Sequence, residues 1–190
     1  MDKVLYFDCE TTGLSPVNND IIQLAGLIEF KGVVVDEFNF KIQPFSYENI
    51  SEKALEVSGT TIEVLKTYLE PRKAYQQIIN KFSEYINKFD KEDKFTPVGF
   101  NIGFDLEFLN QFFIKNGDKY FGSWCNWRKV DPLAVLYYLD YAKKLNLDLP
   151  NFKLETVCQK LGIEIQAHDA MSDIKATREL SLKLIDYLED

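Results

Sequence analysis

Two carboxylates, Asp8 and Glu10, follow the apolar run "VLYF" near the start of the chain. Strand side chains alternate between faces, so residues two apart share one. Two like charges then sit side by side at the end of a buried segment, and neither tolerates loss of water without a compensating cation. The adjoining "CETTGL" supplies no Lys or Arg. Two more acids stand in similar company. In "GFNIGFDLEFL", counting by three and four from Asp105 reaches Leu109 and Phe112, so Asp105 lies on a core-facing helical stripe. From Asp173 the same spacing reaches Thr177, Leu180, Leu184 and Tyr187. A carboxylate at a helix start is also favoured by the helix dipole, the plainer reading of Asp105. Four acids on apolar faces nevertheless suit hard divalent cations, Mg²⁺ or Mn²⁺, which take oxygen ligands. His168, the single histidine, stands five residues before Asp173. A lone histidine is usually a surface residue, but an imidazole with a pKa of about 6.5 beside such a cluster is suited to take a proton from water.

The elements that must position these residues are legible in outline. "DIIQLAGLIEFKGVVVDEFNFKIQP" predicts two strands joined at Lys31-Gly32, making a three-stranded antiparallel meander with the first run. "SEKALEVSG" and "TTIEVLKTYL" predict short helical pieces, the first closed by Gly59. "RKAYQQIINKFSEYINKF" predicts one long amphipathic helix with a stripe running from Tyr75 to Phe89. "FTPVGFN" reads as a short buried strand, and "FDLEFLNQFFIKNG" as a helix from about Phe104 to Asn116-Gly117. "WCNWRKVD" reads as a further strand. Asp131 before Pro132 predicts an N-cap for the helix "LAVLYYLDYAKKL", and "NFKLETVCQKLGI" a further helix. Asp169 caps a last helix from Ala170 to about Tyr187. Strands first, then helices alternating with strands, predict one α/β domain over residues 1–190, with a mixed sheet covered by helices.

Composition sets bounds. The 190 residues are 46% hydrophobic and 14% aromatic, which supports a packed core. A net charge of −8 argues against a broad basic nucleic-acid surface, although a cation-filled cleft can coexist with an acidic exterior. Cys9, Cys125 and Cys158 form no CxxC pair and read as reduced thiols, with Cys9 on the face opposite Asp8 and Glu10. With no targeting segment or membrane span visible in the sequence, the expectation is a cytoplasmic protein.

"FDCETTGL", "NIGFDLEFL" and "HDAMSDIKAT" resemble, in order, the three motifs of the DnaQ-like 3′→5′ exonucleases, in the DEDD group with a histidine in the third motif. "ALEVSGTTIEVL", "VDPLAVL" and "LETVCQKLGI" are similar to segments between those motifs. The resemblance implies an RNase H-like fold with a five-stranded mixed sheet, second strand antiparallel, flanked by helices. It implies two metal ions held by Asp8, Glu10, Asp105 and Asp173, with His168 as general base. Thr11, Thr12, Gly13 and Leu14 would hold the terminal nucleotide, with Asn101 and Phe104 near the substrate; a strand-end polar residue and a core aromatic are the plainer readings of that last pair. The sequence departs from many relatives at Phe100 and Ser58, where they carry histidine.

The implied activity is metal-dependent removal of nucleotides from single-stranded or frayed 3′ ends. The "ETTGL" form looks closer to proofreading subunits and polymerase-associated domains than to the oligoribonuclease branch, which favours DNA; with no additional domain visible, the polymerase of such a proofreader is expected on a separate chain. RNA 3′-end trimming is the alternative within the enzyme class. Outside it stand a non-catalytic module binding nucleic acid or a polymerase, and an acidic interaction domain.

Overall fold

The computed structural model describes residues 3–145, 147–166 and 169–189. Strands β1 (Lys3–Thr11), β2 (Ile21–Phe30), β3 (Val33–Lys41) and β4 (Thr96–Val98) form a sheet in the order β3-β2-β1-β4. β2 runs antiparallel to both β1 and β3, and β4 pairs parallel with β1. The β2–β3 hairpin turns at Lys31 and Gly32 with φ values of 50° and 82°. Positive φ at both turn residues matches the twist of the flanking strands, so the expected meander forms.

The expected fifth strand is reduced to two isolated parallel bridges, Phe95 to Cys125 and Val98 to Val130. Asn126 N–H donates to Phe95 O (2.8 Å), and the next donation on that side is from Val130 N–H to Pro97 O (3.0 Å). Four residues of one segment thus advance against two of the other. Pro97 presents its carbonyl to this side and has no N–H to continue the ladder. "WCNWRKVD" is therefore a bulged edge segment, and the sheet has four strands.

The described helices are α1 (Glu52–Val57), α2 (Ile62–Leu65), α3 (Pro71–Ser83), α4 (Ile102–Lys115), α5 (Pro132–Tyr141), α6 (Leu154–Leu161) and α7 (Ala170–Glu189). α3 ends earlier than its stripe predicts, leaving Phe89 87% exposed. Beyond its end, Asn87 holds the chain out of the helix: its N–H donates to Asp93, and its side-chain oxygen takes the N–H of Phe89. Such local bonds offer the backbone an alternative to the helix. α5 likewise stops at Tyr141, and Lys143 adopts φ 58°. α4 starts two residues before the expected Phe104, from Asn101 in the left-handed region (φ 58°), and terminates before Gly117 (φ 89°).

Alternation along β1 divides the core. Leu5, Phe7 and Cys9 pack with Ile78 and Phe82 of α3 and with Leu109 and Phe113 of α4. Val4 and Tyr6 pack on the other face with Ala170 and Ile174 of α7. Asp8 and Glu10 continue the second series, so they are on the α7 side, while Cys9 is buried opposite as expected. No helix among the described residues is long and apolar enough to cross a membrane.

Candidate active site

β4 ends at Val98, paired with Tyr6 of β1. Continued by three residues, the same register would set Cys9 against Asn101, where the chain has already turned into α4. The N–H of Cys9 has therefore outrun its strand partner, and the carboxylate of Asp105 takes it at 3.0 Å. Asp105 is only 5% exposed. α4 packs on the face opposite Asp8, and this bond brings its acid round the end of the strand.

Asp173 arrives from the other side. Asp169 starts α7: its side chain accepts from Ser172 N–H (2.8 Å), and its carbonyl accepts from Asp173 N–H (2.9 Å). That is an N-cap, and it places Asp173 in the first turn. Asp8 and Asp173 line one cavity of about 160 Å³, walled by Tyr6, Gly99, Leu154 and Thr177.

Electrostatics shows the four acids are gathered. Burial pushes the Asp8 carboxyl well above the usual range, and the nearby charges of Asp105, Glu10 and Asp173 push it further. Asp105 is raised to about 7, chiefly by burial and further by Glu10 and Asp131; its hydrogen bonds from the Cys9 and Asp105 N–H groups pull the other way. Burial, with the charges of Asp105, Asp8 and Glu10, pushes the Cys9 thiol well above its ordinary value. Asp8, Glu10, Asp105 and Asp173 offer only carboxylate oxygens, the donor set of a hard divalent cation. Among the described residues no group of three or more acids, histidines or cysteines forms a ready cage. Mg²⁺ does not require such a cage, since it keeps several waters and binds through one or two carboxylates plus substrate phosphate. Carboxylate oxygens alone are a donor set suited to a hard divalent cation. His168 lies outside the described residues.

The "TTGL" loop separates into parts. Thr12 is 1% exposed: its hydroxyl accepts from Asp20 N–H (2.9 Å), its N–H donates to Asp20 O, and its carbonyl accepts from Ser51 N–H. The Thr11 hydroxyl donates to the carbonyl of Gly13 (2.8 Å). A β-carbon on Gly13 would stand 2.6 Å from the Asn19 side chain, which accepts from Ser15 N–H and donates to Asn49 O. Leu14, by contrast, is 86% exposed. The two threonine side chains thus shape the loop, and Leu14 is what the loop presents. Asn19 and Asp20, missed in the sequence, hold it; an Asn and an Asp six and seven residues after Gly13 carried no periodic signal.

Asn101 is exposed and its N–H is held by Asp131 Oδ1 (3.0 Å), the same atom that accepts from Leu133 N–H to cap α5. Phe104 is half-buried on Phe108, with ring centroids 4.7 Å apart. At the two departures, Phe100 packs against the α5–α7 core, and Ser58 closes α1 by donating to the Ala54 carbonyl.

The family described as Exonuclease (RNase T) matches residues 5–180. The chain belongs to this exonuclease family. Other family relatives include the DNA polymerase III PolC-type proteins of Bacillus cereus (31% identical, covering 97% of this chain and 11% of that protein) and Thermotoga maritima (30%, covering 96% and 12%). The chain spans about a tenth of the length of these curated relatives. Exonuclease I shares the fold, with a TM-score of 0.80 at 24% identity over 99% of this chain and 43% of that one. The E. coli exonuclease I in complex with a dT13 oligonucleotide gives 0.76 at 23% identity, over 97% and 41%. This exonuclease-family chain thus has the mixed α/β, RNase H-like fold, with the fifth strand reduced as described.

Proposed function

We propose that this domain is a metal-dependent 3′→5′ exonuclease acting on single-stranded or frayed DNA 3′ ends. The observation that carries the reading is the convergence of Asp8, Glu10, Asp105 and Asp173 at the end of β1 in a member of the exonuclease family. Asp8, Glu10, Asp105 and Asp173 are the residues to hold two Mg²⁺ or Mn²⁺ ions. When bound, the ions supply activation of water and stabilisation of the leaving 3′ oxygen. His168 takes the proton from the attacking water. Leu14 packs against the terminal base, and the Gly13 backbone, without a side chain, admits the nucleotide. Asn101 and Phe104 flank the entry. Thr11 and Thr12 serve by fixing the loop.

DNA is favoured by the relatives: the matching stretch belongs to proteins named DNA polymerase III PolC-type, and a fold neighbour holds a dT13 oligonucleotide. The same relatives favour work beside a polymerase. A single exonuclease domain over residues 1–190 and a cytoplasmic location belong to this reading.

The test is digestion of 5′-labelled DNA and RNA oligonucleotides, single-stranded and with a mismatched 3′ end, in Mg²⁺ or Mn²⁺. A stepwise ladder that EDTA abolishes, stronger on DNA, is expected. Cutting inside a circular single strand overturns the exonuclease reading, and preference for RNA turns it to 3′-end trimming. His168→Ala should lose turnover while divalent-ion binding persists by calorimetry; undiminished turnover removes His168 from the base role.

A further inference from the structure

The bulge that replaces the fifth strand lifts Asn126–Lys129 out of the sheet ladder and leaves Trp127, Arg128 and Lys129 exposed. Two residues later, Asp131 ties this segment to the start of α4 through the N–H of Asn101. Lys129 consequently reaches α4. A β-carbon on Gly103 would stand 3.0 Å from its Nζ. Gly103 precedes Asp105 by two positions, about 200° round the helix, so this ammonium is on the outer side of the turn whose inner side carries the acid.

Lys129 makes no hydrogen bond or ion pair with the described residues. Other cations that touch the site's supporting elements are committed to acids: Lys115 to Asp20, Lys81 to Asp36 and Arg178 to Glu29. In a chain of net charge −8, a polyanion approaching four carboxylates meets repulsion before it meets metal. A 3′ end seated at β1 sends its upstream phosphates out over the rim of the cleft. We infer that the Asn126–Lys129 bulge is a nucleic-acid contact, with Lys129 holding a phosphate upstream of the scissile one. The inference rests on the proposed 3′-end reading. It predicts binding that depends on strand length, since a mononucleotide ester ends inside the cleft.

The experiment compares wild type, Lys129→Ala, Lys129→Glu and, as a control from the opposite end of the sheet, Lys91→Ala. Substrates are a single-stranded dT12 and the p-nitrophenyl ester of thymidine 5′-monophosphate. For Lys129→Ala, KM on dT12 should rise about 3- to 10-fold, as for an exposed charge-assisted contact, with kcat unchanged. Lys129→Glu should exceed this, and ester hydrolysis should move less than twofold. The slope of log binding against log salt should flatten by about 0.7, the share of one single-strand phosphate. Anisotropy of fluorescein-labelled dT12 in Ca²⁺ reads the same contact without turnover. An unchanged dT12 affinity, an equal loss on the ester, or an equal loss in Lys91→Ala overturns the inference. If wild type hydrolyses neither substrate, the hydrolytic reading fails while anisotropy still decides Lys129.

Discussion

Asp105 shows how a residue that destabilises the free fold can serve the site. Its carboxyl is raised from 3.8 to about 7, so the native state holds a proton that the unfolded chain releases earlier. Its contribution to stability is present below about pH 4 and is lost as pH rises through 7. Urea unfolding in EDTA should therefore show a lower midpoint at pH 8 than at pH 5. Asp105→Asn should reduce that difference, because the amide oxygen can still accept from Cys9 N–H and carries no charge. The same variant should lose turnover. A pH difference as large as wild type's would show that Asp105 is not among the strained groups. Spacing alone puts this acid on a core-facing stripe. It could not distinguish Thr12 from Leu14, because which of two neighbours faces solvent depends on Asp20 and Ser51 across the loop.

At the scale of elements, α7 must be seated before Asp173 can face Asp8. Ile174 provides apolar contact, and Arg178 one turn later provides direction. The Arg178 Nε donates to Glu29 Oε2 at 2.6 Å, and a second guanidinium nitrogen donates to Gly32 O at 3.1 Å. The Glu29 side chain is almost fully enclosed, whereas Arg178 keeps some solvent contact. Arg178→Ala would strand the carboxylate without its cation, a change that costs ~3 kcal/mol, the lower end for a broken buried pair with one partner partly solvated. Chemical denaturation should report that loss. Arg178→Ala with Glu29→Gln should recover part of it, and no recovery would mean that Arg178 acts through packing. The pair joins residues 149 positions apart, a distance over which helical and strand periodicities carry no information.

The whole molecule is a sheet with unlike cores on its two faces, and Asp8, Glu10, Asp105 and Asp173 gather where the faces meet at the end of β1. The larger core is aromatic. Phe82 is fully buried, with ring centroids 5.4 Å from Phe95, 6.1 Å from Trp124 and 6.2 Å from Phe38. It thus ties α3 to β3, to the residue that leads into β4 and to the bulged edge at once. Phe82→Ala should lower stability by ~3–5 kcal/mol, the range for removing a buried ring, measurable as a shift in the urea midpoint. A loss below 1 kcal/mol would mean the core collapses around the missing ring.

Residue order is enough to pair Asp8 with Glu10, to turn β2 into β3 at Lys31-Gly32, to cap helices with Asp131 and Asp169, and to set Asp105 and Asp173 in apolar company. These follow from backbone periods of 2 and 3.6 and from hydrogen bonds a few residues long, all contained in local residue order. Tertiary structure decided that Asp105 captures the N–H of Cys9, that α3 stops before Phe89, and that Pro97 turns the fifth strand into a bulge exposing Lys129. Each of these depends on what stands opposite in space. A donor left over at the end of one strand, or a missing N–H in another, has consequences only when the partner is in place.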